Sequence, residues 1–136
     1  MALLWPDFTL LVCLFVLFVW VVTFNRITAT HKVYLGFHFI MMLWPLGQFL
    51  SHVTGYPEYQ LMFVQLSFAA LGLLGPGWLV FVFFLTGRVS YLTKGKVVAW
   101  LLPSLLGIAA VVWNPGGQFL APIGGSYLHR DYGPLF

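Results

Sequence analysis

Four apolar stretches, roughly 8–24, 33–50, 61–85 and 97–113, fill most of this 136-residue chain, and no Asp, Glu, Lys or Arg stands inside any of them. Segments of about 17–25 residues, rising about 1.5 Å per residue as helices, can cross a hydrocarbon core about 30 Å thick. That pattern predicts an all-α membrane protein, a bundle of four transmembrane helices. The chain is 61% hydrophobic and 7% charged, with a mean hydropathy of +0.95. A soluble domain carries about a quarter charged residues and cannot hide this much apolar surface.

The charges lie between the stretches and predict the orientation. Arg26 and Lys32 stand in the first gap, and Arg88, Lys94 and Lys96 in the third. The second gap, Ser51–Gln60, holds one charge, Glu58; Asp7 precedes the first stretch, and Arg130 and Asp131 follow the last. With four crossings, five of the six basic residues share one side. Basic loops favour the cytoplasm, so both termini and the Ser51–Gln60 loop are expected outside. The predicted location is the plasma membrane of a prokaryotic cell, as a multi-pass protein. The basic residues are spread as topology signals rather than clustered against phosphate, so no nucleic-acid partner is expected. The first stretch lacks the basic N-terminal region of a cleavable signal peptide. Cys13 is the one cysteine, so no internal disulfide can form.

No domain boundary or internal repeat interrupts residues 1–136. The connecting segments are short, which predicts antiparallel neighbours. Segment 114–136 is rich in Gly and Pro, with Asn114-Pro115-Gly116-Gly117, Pro122, Gly124-Gly125 and Gly133-Pro134. It is expected as an outer loop or series of turns. Tyr132-Gly133-Pro134-Leu135-Phe136 reads as the opening of a fifth span.

Small and polar residues recur at helical spacing inside three spans. His38, Met41, Pro45, Gln48 and His52 form one stripe. Gln65, Ala69, Gly72 and Pro76 form a second, and Ser104, Gly107, Val111 and Asn114 a third. Such residues mark helix contacts in lipid, so the three stripes are expected to face one another, with His38 and Gln48 opposite Gln65, Ala69 and Gly72. Phe37, Phe81, Phe83 and Phe84 are expected to face lipid. The shared face, His38, Gln48, Gln65, Gly72, Ser104 and Asn114, is either a ligand or signal pocket or a packing surface. His38 is its best candidate for function, because imidazole changes charge near neutral pH. Gly75-Pro76-Gly77 is the strongest helix breaker in any span and a candidate hinge.

No cofactor or metal site is expected. His38 and His52 are about 21 Å apart along a helix, and His52 with His129 is too small a set for a metal. Nucleophile–base pairs, paired carboxylates and phosphate-binding loops are absent from the sequence, so no enzyme activity is predicted for this chain.

The run Gly75-Pro76-Gly77-Trp78-Leu79-Val80-Phe81-Val82-Phe83-Phe84-Leu85-Thr86-Gly87-Arg88 resembles the third span of the N-terminal seven-helix membrane region of bacterial and archaeal sensor histidine kinases. Leu102-Pro103-Ser104 in the fourth span, Asn114-Pro115 at its end and Tyr132–Phe136 follow in the same order. The resemblance covers the chain as the first four of seven helices. It implies a sensory input module of a two-component system, with further helices and a kinase output domain as partners beyond this chain. The lipid bilayer is the first partner, and a second copy of the chain could cover an open side. Two other classes fit the composition, a transporter fragment with broken helices and a small membrane scaffold without ligand.

Overall fold

A computed structural model describes residues 4–24 and 27–132. Four long helices follow in order: α1 (Leu4–Phe24), α2 (Ala29–Val53), α3 (Pro57–Leu85) and α4 (Lys94–Trp113). All four are long and apolar enough to cross a membrane.

Local chemistry sets the helix ends. Thr28 caps α2: its hydroxyl accepts from the His31 N–H at 3.3 Å, and its own N–H donates to His31 Nδ1 at 3.4 Å. This reciprocal pair satisfies donors that a helix start leaves open. Pro57 opens α3 at the first helical position, where its missing N–H costs nothing. Arg88 N–H reaches back to the Phe83 carbonyl (2.9 Å) and Gly87 N–H to the Phe84 carbonyl (3.3 Å). That closure needs a left-handed residue, supplied by Gly87 with φ +69°. Each of α2, α3 and α4 starts three or four residues before its apolar run, on a first turn that carries Lys32, Glu58 or Lys94.

The helices pack as an open row. α1 lies on α2, α2 on α3 and α3 on α4, and the α2–α3 seam is the most extensive. Buried residues of that seam include Pro45, Gly47 and Ser51 of α2 with Gln60, Val64, Ser67 and Ala70 of α3. Gly47 sets the distance between the two helices. A Cβ there would meet Ser67 Oγ and stand 2.6 Å from the Phe63 carbonyl oxygen, so only glycine allows this approach. Ser67 Oγ donates to the Trp44 carbonyl at 3.1 Å, a bond across the same contact.

Exposed apolar side chains cover the outside of the row. Trp5, Phe15, Val16 and Trp20 of α1 and Leu102, Leu106 and Trp113 of α4 are exposed. In water such a surface would aggregate; in lipid it is the solvated face.

Segment 114–132 differs from the loop expected there. A short 3-10 turn at Pro115–Gly117 leads into two antiparallel strands, β1 (Leu120–Ile123) and β2 (Ser126–Tyr132). Gly124 and Gly125 join them with φ +61° and +79°. Two consecutive positive φ values suit a tight hairpin, and glycine adopts them without strain. The register slips between Pro122 and Ile123, beside the proline that has no N–H to give the ladder. Tyr132, expected to start a fifth span, ends β2 instead, and Gly133–Phe136 lie outside the described residues. So does Arg26.

Three of the four phenylalanines expected in lipid stand in helix contacts instead. Phe37 stacks parallel to Phe81 at 6.2 Å and lies 5.7 Å from Trp78. Phe83 stacks on Trp100 of α4 at 5.7 Å. Phe37 and Phe81 fill the α2–α3 seam beside Gly77, where a Cβ would stand 3.0 Å from the Phe37 ring. Phe84 is half-buried.

Candidate functional site

The polar residues of the spans divide among three helix contacts. His38 is 1% exposed and points to α1. Its Nε2–H donates to the Leu14 carbonyl at 2.8 Å, so Nδ1 accepts from the Tyr34 hydroxyl at 3.1 Å. Phe18 and Tyr34 flank the imidazole, and Tyr34 in turn touches Phe81 of α3. The expected pairing of His38 with Gln65, Ala69 and Gly72 is therefore not formed. In an open row, α2 has a neighbour on each side, and its stripe is shared between them.

Gln65 and Gly72 face α4. The Gln65 amide donates to the carbonyls of Val111 and Val112, both at 3.0 Å. Pro115 explains the need: it stands four residues after Val111 and has no N–H to offer that carbonyl. A Cβ on Gly72 would lie 3.2 Å from Ile108 and 3.9 Å from the Ser104 carbonyl oxygen. Gly72 and Ser104 thus meet. The Gln48 backbone carbonyl accepts from Ser51 Oγ and from His52 Nδ1, each at 2.7 Å.

Asn114 ends α4 in the left-handed conformation at φ 39°. Its side chain clasps the start of the hairpin. Oδ1 accepts from the Phe119 and Leu120 N–H groups at 3.1 and 2.9 Å, and Nδ2 donates to the Leu120 carbonyl at 2.8 Å. Leu120, the first residue of β1, is fully buried.

Gln60 holds the other strand, although the sequence places it at the edge of the Ser51–Gln60 loop with nothing to single it out. It is 4% exposed. Its Nε2 donates to the Thr54 carbonyl at 3.0 Å, while Oε1 accepts from Ser126 Oγ at 2.9 Å and from the Tyr127 N–H at 3.0 Å. One amide therefore ties the end of α2, the first turn of α3 and β2. Together Gln60, Gln65 and Asn114 join α2, α3, α4 and the hairpin at one end of the molecule, the hairpin end. Lys94 and Lys96 lie at the opposite, basic end, where α4 starts and α3 finishes.

α3 runs unbroken through Gly75-Pro76-Gly77. Gly75 is exposed with open space around it, and Gly77 packs on Phe37. Near these residues an open apolar groove of about 220 Å³ lies among α2, α3 and α4, lined by Phe37, Ile40, Leu73, Pro76 and Leu101 among others. Among the described residues no cluster of three His, Cys, Asp or Glu side chains is placed to hold a metal ion. The His129 side chain lies outside those described.

The hairpin end is held by a clasp of hydrogen bonds. Neutral amides grip backbone groups, and these bonds can open and re-form without moving a charge through lipid. No curated protein and no solved structure matches the chain. The family model described as the N-terminal 7TM region of histidine kinase matches residues 8–136. That region is a membrane-spanning part of such kinases and not their catalytic domain, which agrees with four helices able to span a bilayer. The chain is a multi-pass membrane protein and belongs to the family of N-terminal seven-transmembrane regions of histidine kinases.

Proposed function

We propose that this chain is a sensory input region in the plasma membrane of a prokaryotic cell, with the hairpin end outside and the basic end facing the cytoplasm. It carries no catalysis itself and acts on an output domain through the rest of the membrane region. The observation that carries this reading is the Gln60 side chain. It grips the Thr54 carbonyl, Ser126 and Tyr127 at once, so a stimulus that moves the hairpin pulls on the first turn of α3. α3 is continuous from Pro57 to Leu85 and spans the whole distance to the basic end. Gly75-Pro76-Gly77 is the place along it where such motion is absorbed or redirected. His38 then serves as a fixed link between α1 and α2, against which α3 moves.

The test is a chimera. Residues 8–136 replace the matching first part of the membrane region in a histidine kinase of this family, and autophosphorylation is measured in vesicles. Gln60→Leu should change the kinase rate by at least about threefold, the effect of losing one hydrogen bond worth about 0.6 kcal/mol in a membrane protein. Equal rates at equal amounts of folded protein would reduce the clasp to packing and support the scaffold reading instead.

A further inference from the structure

The turn between α2 and α3 presents an arrangement that the clasp does not use. Tyr56 is extended, with φ −98° and ψ 121°, and Pro57 follows as the first residue of α3. This fixes the chain direction, so Tyr56 and Tyr59 come side by side. Their ring centroids are 6.0 Å apart and their planes meet at 88°. One ring forms a floor and the other a wall. Both remain open, at 70% and 53% exposure. Glu58 lines the same open depression, together with Tyr56, Pro57 and Tyr59. Among the described residues no ion pair engages Glu58.

We propose that Tyr56, Glu58 and Tyr59 form a binding site for a quaternary ammonium group of the choline type. Aromatic faces attract cations through their quadrupole, and two faces at a right angle enclose a rounded cation on two sides. The Glu58 carboxylate supplies the balancing charge. Other cations fit less well. A calcium or magnesium ion requires six or so oxygen ligands, and one carboxylate stands here. A primary ammonium brings three N–H donors that each need an acceptor. A trimethylammonium group has no N–H, spreads its charge over methyl groups and needs only apolar walls with one anion nearby.

Tyr59 directly precedes Gln60 on the first turn of α3. A cation held between the rings therefore loads the same turn that the clasp grips. In this respect the inference rests on the sensory reading, and it supplies that reading with a chemical class of stimulus. The ammonium group can belong to a free solute or to a phospholipid headgroup.

Binding is measured on the whole chain without any kinase, so its outcome is separate from that of the chimera. In maltoside micelles, saturation-transfer NMR follows the choline methyl signal. Neutral 3,3-dimethylbutanol serves as the uncharged isostere. Choline should bind and the isostere should not. Tyr56→Leu and Tyr59→Leu should each weaken choline about 2- to 5-fold. Tyr56→Phe and Tyr59→Phe should retain binding, because the ring faces remain, and the Leu variants should keep the melting temperature of the parent chain, which shows that they remain folded. Glu58→Gln should weaken it as well. Equal binding of the isostere, or choline binding unchanged by both Leu substitutions, would overturn the proposal. Nanodiscs separate the sources. If added choline binds more weakly in phosphatidylcholine than in the equally neutral phosphatidylethanolamine, the site takes the headgroup. Equal affinity in the two lipids means a soluble cation.

Discussion

Gln65 gives both of its 3.0 Å bonds to backbone carbonyls of another helix. The need for them arises from Pro115, 50 positions away in the chain. The spacing of Gln65, Ala69 and Gly72 identifies a helix face from sequence alone. It does not identify the neighbour, because helical periodicity carries no information on which helix stands opposite. For the same reason Gln60 looks like any loop residue in the sequence: its partners are backbone groups and a serine brought near only by the fold. Gly47 is equally silent, since a single glycine between leucine and glutamine has no pattern around it. Gln65→Leu keeps the bulk but removes both donors. It should lower stability by about 1 kcal/mol, seen as a lower melting temperature in detergent. An unchanged melting temperature would mean that water satisfies those carbonyls.

At the scale of elements, the four helices are legible because charge-free runs of membrane length admit few alternatives in lipid. The hairpin is not. Its turn carries a two-glycine signal, Gly124-Gly125, which favours a tight hairpin when strands flank it. Here the flanks hide the strands: β1 is Leu-Ala-Pro-Ile, short and broken by a proline, and β2 mixes charged and aromatic residues. The aromatic residues mislead in the opposite direction. Phe37 and Phe81 stack in a seam because Gly77 leaves room there, and the size of a side chain does not by itself point it to lipid. The hinge proposed in α3 gives a clean test. Apart from its own chain neighbours, a Cβ at Gly75 would have nothing within 4 Å, so Gly75→Ala meets no other helix. Alanine removes backbone freedom worth about 0.5–1 kcal/mol, offset by the crowding of its Cβ against the Pro76 ring. If α3 bends at Gly75-Pro76-Gly77 during signalling, the same change should lower the stimulus response of the chimeric kinase at equal amounts of folded protein. An unchanged response would make Gly75-Pro76-Gly77 a fixed part of the helix.

The whole molecule is an open row of helices with its polar clasp at one end and Lys32, Arg88, Lys94 and Lys96 at the other, while Arg130 lies in the hairpin. Each inner helix serves two neighbours, which is why the three polar stripes divide among three contacts rather than lining one shared pocket. The two ends differ in kind. One is built of neutral amides and a hairpin, the other of exposed Arg88, Lys94 and Lys96. A signal that enters by the hairpin and leaves toward a cytoplasmic output requires these ends on opposite sides of the bilayer, with the basic one inside. Labelling by an impermeant thiol reagent tests this directly. In a Cys13→Ala background, Glu58→Cys and Lys94→Cys are introduced singly and intact cells are treated. The position 58 cysteine should react in intact cells, and the position 94 cysteine only after the membrane is opened. Reaction of both in intact cells, or of position 94 alone, would contradict the account.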